Sequence, residues 1–139
     1  MAITFQAENI GFPKIKRQDT KNWIKLVAGN HDKKIGEVNY LFCTDEKILE
    51  VNNQYLSHDF YTDIITFDYS EGNNISGDIF ISIDTVRSNS QKYNTDFMEE
   101  LHRVIIHGIL HLCGVDDETE TDSLKMREAE NSALKQLNI

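Results

Sequence analysis

The chain has 139 residues, 40% of them hydrophobic, which suits one domain, here 1–139, with a buried core. Its formal net charge of -9 argues against tight, nonspecific binding of nucleic acid, although a local basic surface remains compatible with it. No apolar run reaches the roughly 18 residues that a membrane span needs, and residues 1–6 lack the features of a secretory signal, so we expect a cytoplasmic protein.

Charge and cysteine placement add two expectations. Residues 1–36 carry seven Lys/Arg and three Asp/Glu, whereas the remainder carries seven and twenty. A basic cluster in the first part could form a local cationic surface, although a solvated face is the simpler interpretation: Lys14, Lys16, Arg17, Lys21 and Lys25. Cys43 and Cys113 each have apolar neighbours, and we expect both to be reduced thiols in the core.

The first half of the chain predicts two strand–helix pairs. Residues 3–8 alternate apolar and polar side chains, as in a short strand, and Asp19 or Thr20 could cap a helix that ends at 29–30. Residues 36–43 become apolar toward their end, as in a strand that enters the core. A second helix then follows, capped by Thr44 or Asp45.

The second half predicts a hairpin followed by three helices. Residues 62–69 and 78–83 are rich in β-branched and aromatic residues, with a turn at 70–76 between them. Helices are expected to begin at Asp84, after 94–96 and near Ser123. The order β-α-β-α-β-β-α-α-α predicts an α+β domain, a small mixed sheet of about four strands with helices packed on it.

One segment carries candidate metal ligands. His107 and His111 are four residues apart, so one helical turn places them on the same face, roughly 6 Å apart along the axis. Gly114 suits a left-handed turn at the helix end, after which Asp117 or Asp116 can reach back toward the histidines. The pattern H-x-x-x-H-x-x-G-x-x-D has the ligand spacing of metzincin proteases, with a carboxylate in place of the last imidazole.

Three protein ligands leave one zinc position open, which is typical of catalytic rather than structural sites. Two imidazoles and a carboxylate also suit nickel, cobalt or iron(II). A histidine pair at this spacing, taken alone, could also be two core residues or a coincidence on the surface. Metalloproteases of the H-E-x-x-H type carry a general base after the first histidine, where this chain has Gly108. A peptidase is therefore disfavoured. His102, His31 and His58 belong to no local motif, and we expect His102 to be exposed or capping.

The motif resembles that of the YbeY family, bacterial metal-dependent hydrolases implicated as single-strand endoribonucleases in ribosomal RNA maturation. That family carries H-G-x-L-H-L-x-G-(Y/F)-D-H, and residues 107–117 read HGILHLCGVDD. Further similar segments cover about residues 45 to 135: 51–56 (VNNQYL), 62–67 (TDIITF), 77–79 (GDI), Met126 and Glu130. Two positions depart from the family pattern. Asp117 replaces a ligand histidine, and Leu56 replaces an arginine suited to contact phosphate.

The resemblance implies a zincin-like fold with the metal site at a helix end, and one zinc ion per chain held by His107, His111 and Asp117. Asp116 would be a second carboxylate that hydrogen-bonds a ligand histidine or caps the turn. The implied activity is zinc-dependent endoribonucleolytic cleavage in 16S rRNA maturation and ribosome quality control, with rRNA and ribosomal proteins as partners. Lys47, His58 or the basic cluster could replace the missing arginine.

Two alternatives stay open at this point. One is a ribosome-assembly factor that binds rRNA or ribosomal proteins and whose zinc is mainly structural, which the acidic charge and the absence of a recognisable general base favour. The other, weaker alternative is a metallopeptidase.

Overall fold

The computed structural model describes residues 2–56 and 62–137, the side chain of Leu56 excepted. The elements follow in the order β1 (Ala2–Ala7), α1 (Arg17–Asn30), β2 (Lys34–Cys43), α2 (Asp45–Leu56), β3 (Ile64–Asp68), β4 (Asn74–Ser82), α3 (Ile83–Lys92), α4 (Phe97–Leu112) and α5 (Glu120–Lys135). This is the predicted order, and the prediction of an α+β fold is confirmed.

The strands form one mixed sheet in the order β1-β2-β4-β3. β1 pairs in parallel with β2, and β2 with β4, whereas β3 pairs antiparallel with β4 through the register Ile64–Ile81 to Asp68–Gly77. The hairpin therefore places β3 at an edge of the sheet. Gly77 is needed there, since an added Cβ would lie 2.5 Å from the carbonyl oxygen of Phe67.

Two predicted helix starts are wrong. α1 begins at Arg17, not after Asp19 or Thr20, and the Thr20 hydroxyl donates to the Lys16 carbonyl at 2.7 Å instead of capping. α5 begins at Glu120, three residues before the predicted Ser123, because the Thr119 hydroxyl accepts a hydrogen bond from the Asp122 N–H at 3.0 Å. A side-chain cap of this kind satisfies a backbone donor that the first helical turn leaves free.

Helix α4 lies against the sheet and supplies much of the core. Leu101, Ile105 and Ile109 on it are fully buried. Two hydrogen bonds tie distant elements together: the Tyr40 hydroxyl donates to the Ile105 carbonyl, and the Trp23 Nε1–H donates to the Ala133 carbonyl, each at 2.8 Å. These contacts hold α4 and α5 in fixed positions, and those two helices carry the candidate site. None of the helices described is long and apolar enough to cross a bilayer.

Both cysteines are free thiols. Cys43 is fully buried, as predicted, whereas Cys113 is only half-buried at the end of α4. Burial raises the pKa of Cys43 to about 12 and that of Cys113 to about 11. Neither is therefore activated as a nucleophile.

His102 is buried, so the prediction that it is exposed or capping is wrong. It packs edge-on against Trp23, with ring centroids 5.9 Å apart, and its Nδ1 lies 2.7 Å from the Met98 carbonyl oxygen. Burial lowers the pKa of His102, so the folded state favours the neutral ring. The free energy of unfolding is therefore unaffected by this shift above about pH 6.5, the pKa of histidine in the unfolded chain. It decreases as the pH falls below that value, because the unfolded chain then binds a proton that the folded chain does not.

We expect the free energy of unfolding to fall more between about pH 7.5 and 5.5 in the wild type than in His102→Phe, which keeps a ring against Trp23. Denaturant melts of both proteins at the two pH values measure this. The difference between the proteins cancels the contributions of the other titrating groups. Equal losses in both proteins would show that His102 does not resist protonation in the folded state.

Candidate active site

The end of α4 turns the chain back toward its own histidines. Gly114 has a φ of +97°, its N–H donates to the His111 carbonyl at 3.0 Å, and the Val115 N–H donates to the Leu110 carbonyl at 3.0 Å. This pair of bonds is the Schellman ending of a helix, which favours glycine at the left-handed position. The left-handed turn predicted at Gly114 is confirmed.

The reversed chain brings Asp117 next to His107. Its Oδ2 lies 3.4 Å from His107 Nε2. The backbone of this segment is held from α5, because the Ser123 hydroxyl donates to the Asp117 carbonyl at 3.1 Å. Ser123 thus helps to position Asp117, a role that its place in a polar stretch of sequence does not reveal.

The three predicted ligands border one cavity of about 440 Å³, which we call the cleft. Side chains from four elements and the segments before and after them line it, among them Thr62, Asp63, Thr66, Glu100, Arg103, His107, His111, Asp117, Arg127 and Glu130. Within the described part of the chain, no three His, Cys, Asp or Glu side chains stand together at metal-binding distances. Of the three predicted ligands, His107 and Asp117 are in contact, and His111 borders the same cleft. Asp116 is exposed and does not border the cleft.

Glu130 contacts the ring nitrogen of His107 that does not face Asp117. Its side chain is 8% exposed, and its two oxygens accept hydrogen bonds from His107 Nδ1 at 2.8 Å and from Arg103 at 3.0 Å. Burial would raise the pKa of Glu130, but the hydrogen bonds from His107 and Arg103 outweigh it and lower the pKa. Burial would lower the pKa of His107, but the hydrogen bond to Glu130 and the neighbouring carboxylates outweigh it and raise the pKa. The ionised Glu130 keeps one ring proton on Nδ1, so Nε2 is the nitrogen that faces Asp117 and that a metal ion would bind after it loses its proton.

Two further carboxyl groups border the cleft. Asp63 precedes β3, and Glu100 lies on the same face of α4 as His107. Burial is the main cause that raises the pKa of both carboxyl groups. The charge of His107 opposes the shift at Asp63, and that of Arg103 opposes it at Glu100. Carboxyl groups that keep a proton to higher pH in a cleft suit proton transfer.

The cations at the cleft are not those suggested by the sequence. Among the residues described, Arg103 and Arg127 border it. Lys47 instead lies 3.8 Å from Glu8, and Arg17 of the basic cluster covers the ring of Phe12 at 3.9 Å. His58 and the side chain of Leu56 lie outside the described residues.

Gly108 faces the sheet, away from the cleft. A Cβ added there would lie 2.9 Å from Cδ1 of Ile79 and 3.2 Å from Cδ1 of Ile64. Glycine at this position lets α4 approach β3 and β4 closely. The position that holds the general base in H-E-x-x-H proteases is therefore closed to a glutamate here.

Comparison with known proteins assigns the family. The family model described as Endoribonuclease YbeY matches residues 2–138. The chain belongs to this family. Two relatives named Endoribonuclease YbeY are 61% identical (Bacteroides fragilis, 96% of each chain covered) and 60% identical (Parabacteroides distasonis, 96% of this chain and 94% of the relative).

A solution structure of a Thermotoga maritima protein has the same fold. It superposes with a TM-score of 0.69 at 27% identity and covers 98% of this chain and 89% of the other. The predictions of YbeY membership and of an endoribonuclease, which is a hydrolase, are confirmed by these comparisons.

Proposed function

We propose that this chain is a zinc-dependent endoribonuclease that cuts single-stranded RNA during 16S rRNA maturation and ribosome quality control. One zinc ion would be held by His107, His111 and Asp117. The proposal includes a single domain, a cytoplasmic location and partners among rRNA and ribosomal proteins. Family membership supports the nuclease activity, and the cleft that the three ligands border supports the metal site.

The contact between His107 and Asp117 supports the metal site most directly. His107 Nε2 lies 3.4 Å from Asp117 Oδ2 while its Nδ1 is engaged by Glu130. At zinc sites, a ligand histidine commonly donates one ring N–H to a carboxylate, while its other ring nitrogen lies beside a further metal ligand. Here these two nitrogens are Nδ1 and Nε2. The donor set therefore fits a divalent cation, and His111 on the same wall supplies the third donor.

A bound zinc ion would supply a Lewis acid and a water acidic enough to act near neutral pH. The residues of the chain provide the rest. Glu130 keeps His107 in one tautomer and one orientation, and Ser123 holds the segment that carries Asp117. Asp63 and Glu100, which border the cleft, can hold or transfer a proton there.

We expect His111→Ala to lower metal content and to reduce cleavage of single-stranded RNA at least about 100-fold, since two protein donors hold zinc poorly. The experiment measures bound metal by elemental analysis and cleavage of a labelled RNA by the purified protein. His31→Ala is the matched control, because His31 lies at the end of α1 and does not border the cleft.

Three possible results of this experiment support or contradict the proposed endoribonuclease. Metal-dependent cleavage that is lost in His111→Ala and kept in His31→Ala supports the proposal. Equal cleavage by both variants indicates a contaminating nuclease and contradicts it. Zinc and RNA binding without cleavage in the wild type would favour the assembly factor with a structural zinc.

A further inference from the structure

We propose that Arg127 and Tyr93 form a subsite for one phosphate and the adjoining unstacked base of single-stranded RNA. The inference rests on the proposed function, because it places the substrate strand relative to the candidate metal ligands.

The cleft continues past His107. A second cavity, of about 520 Å³, adjoins the first and runs along the start of α5. Five residues border both cavities: Tyr93, His107, Asp117, Arg127 and Glu130. An RNA strand that extends from the candidate centre along both cavities therefore passes Tyr93, at the end of α3, and Arg127, on α5.

The guanidinium group of Arg127 is available to bind a phosphate, whereas that of Arg103 is already engaged. Arg103 is largely buried and donates to Glu130 at 3.0 Å and to Asn131 at 2.9 Å. Arg127 is 61% exposed and approaches Glu130 at 3.6 Å, outside normal hydrogen-bond distance. Glu130 already accepts its two short bonds from His107 and Arg103. The guanidinium of Arg127 can therefore turn to a phosphate without breaking a strong contact.

The position of that phosphate is restricted by the surrounding charge. The segment before and at the start of α5 is acidic, with Asp116, Asp117, Glu118, Glu120 and Asp122. A phosphate on that side is repelled, so the favourable position lies further along α5, at Arg127. The same helix also carries Lys125, which borders neither cavity.

Tyr93 presents an aromatic face beside this position. It is 58% exposed, and its backbone is held by the end of α3 through an N–H bond to the Asn89 carbonyl at 2.9 Å. Lys92 lies on its ring, with Nζ 5.5 Å from the centroid. An exposed ring at the edge of a cleft, with a cation nearby, suits stacking of a base that is free of a duplex. Tyr93 would thereby favour single strands.

The test measures binding of a short, labelled oligouridine by fluorescence anisotropy over a salt series, with metal chelated so that the RNA stays intact. Arg127→Ala is expected to bind about 10-fold more weakly at low salt and to reduce the slope of log K against log salt by about 0.7, the value for one phosphate contact. Arg127→Lys should keep the slope. Lys125→Ala is the matched control, with the same charge change on the same helix.

Tyr93→Ala is expected to weaken binding about 10-fold with an unchanged salt slope, since stacking releases no counterions. Tyr93→Phe should bind as the wild type does. Tyr69→Ala is the control, because Tyr69 is equally exposed but borders neither cavity. Melting temperatures of all variants verify that they are folded.

The subsite is refuted if Arg127→Ala matches Lys125→Ala in affinity and slope, or if Tyr93→Ala matches Tyr69→Ala. Either failure leaves cleavage by the wild-type protein intact. The proposed function fails separately, when the metal-loaded wild type does not cut RNA.

Discussion

Glu130→Gln is expected to lower metal affinity about 10- to 100-fold, and RNA cleavage with it, while the chain stays folded. The carboxylate accepts two hydrogen bonds, one from His107 Nδ1–H and one from Arg103. An amide has one accepting oxygen and one donating nitrogen, so it can satisfy only one of these partners.

The two orientations of that amide have different costs. If its oxygen stays on Arg103, its NH₂ group faces His107 Nδ1, and the ring must move its proton to Nε2, where it blocks metal binding. If its oxygen faces His107, its NH₂ group meets the donors of Arg103. The arginine carries the stronger demand, because it is charged and largely buried. We therefore expect the first orientation and a metal site with the wrong histidine tautomer.

Isothermal titration with zinc, together with a thermal melt, measures both parts of this expectation. Glu128→Gln on the same helix is the control, because Glu128 is exposed and does not border the cleft. Glu130→Ala should in addition lose about 3 kcal/mol of stability, since it leaves Arg103 without its buried anion. Zinc affinity of Glu130→Gln equal to that of the wild type would show that Glu130 does not orient His107.

Local signals made the order of elements and the turn beside the candidate site predictable. Strand and helix patterns are visible within windows of a few residues. The link from His111 through Gly114 to Asp117 is likewise contained in one short segment. A helical spacing and a glycine with φ of +97° are properties of the backbone nearby, so the sequence alone indicates them.

The helix starts failed where the cap lacked a distinctive sequence signal. Thr119 precedes a run of alternating acidic and threonine residues without apolar periodicity, so the first turn of α5 resembles a loop. At α1, Lys16 occupies the N-cap without a side-chain cap hydrogen bond, and no residue preference marks such a start. Boundaries of this kind are set by packing of the finished helix.

The contacts that complete the candidate site could not be predicted from spacing. Glu130 reaches His107 only because α5 packs on α4, and 23 positions separate the two residues. The family resemblance pointed to Glu130 but not to its partner. Arg127 had no signal of its own, since an arginine on a polar helix is normally solvated. Tertiary packing brings these side chains to the cleft.

Gly108→Glu is expected to unfold or severely destabilise the chain, by more than about 4 kcal/mol, and to create no peptidase. The substitution restores the H-E-x-x-H pattern of metalloproteases. In this fold, however, the Cβ alone would lie 2.9 Å from Cδ1 of Ile79, which is fully buried. The remainder of the side chain would carry a charge into the apolar contact between α4 and the sheet.

Gly108→Ala separates crowding from charge. Alanine favours the helix by about 1 kcal/mol over glycine, whereas overpacking costs about 1–3 kcal/mol, so a net loss of about 1 kcal/mol is expected. Gly29→Ala is the control, since nothing lies within 4 Å of a Cβ there, and it should be neutral or slightly stabilising. Denaturant melts of the three variants measure these differences. A Gly108→Glu protein that melts like the wild type and cleaves peptides would overturn the assignment of position 108 to packing and would support a peptidase.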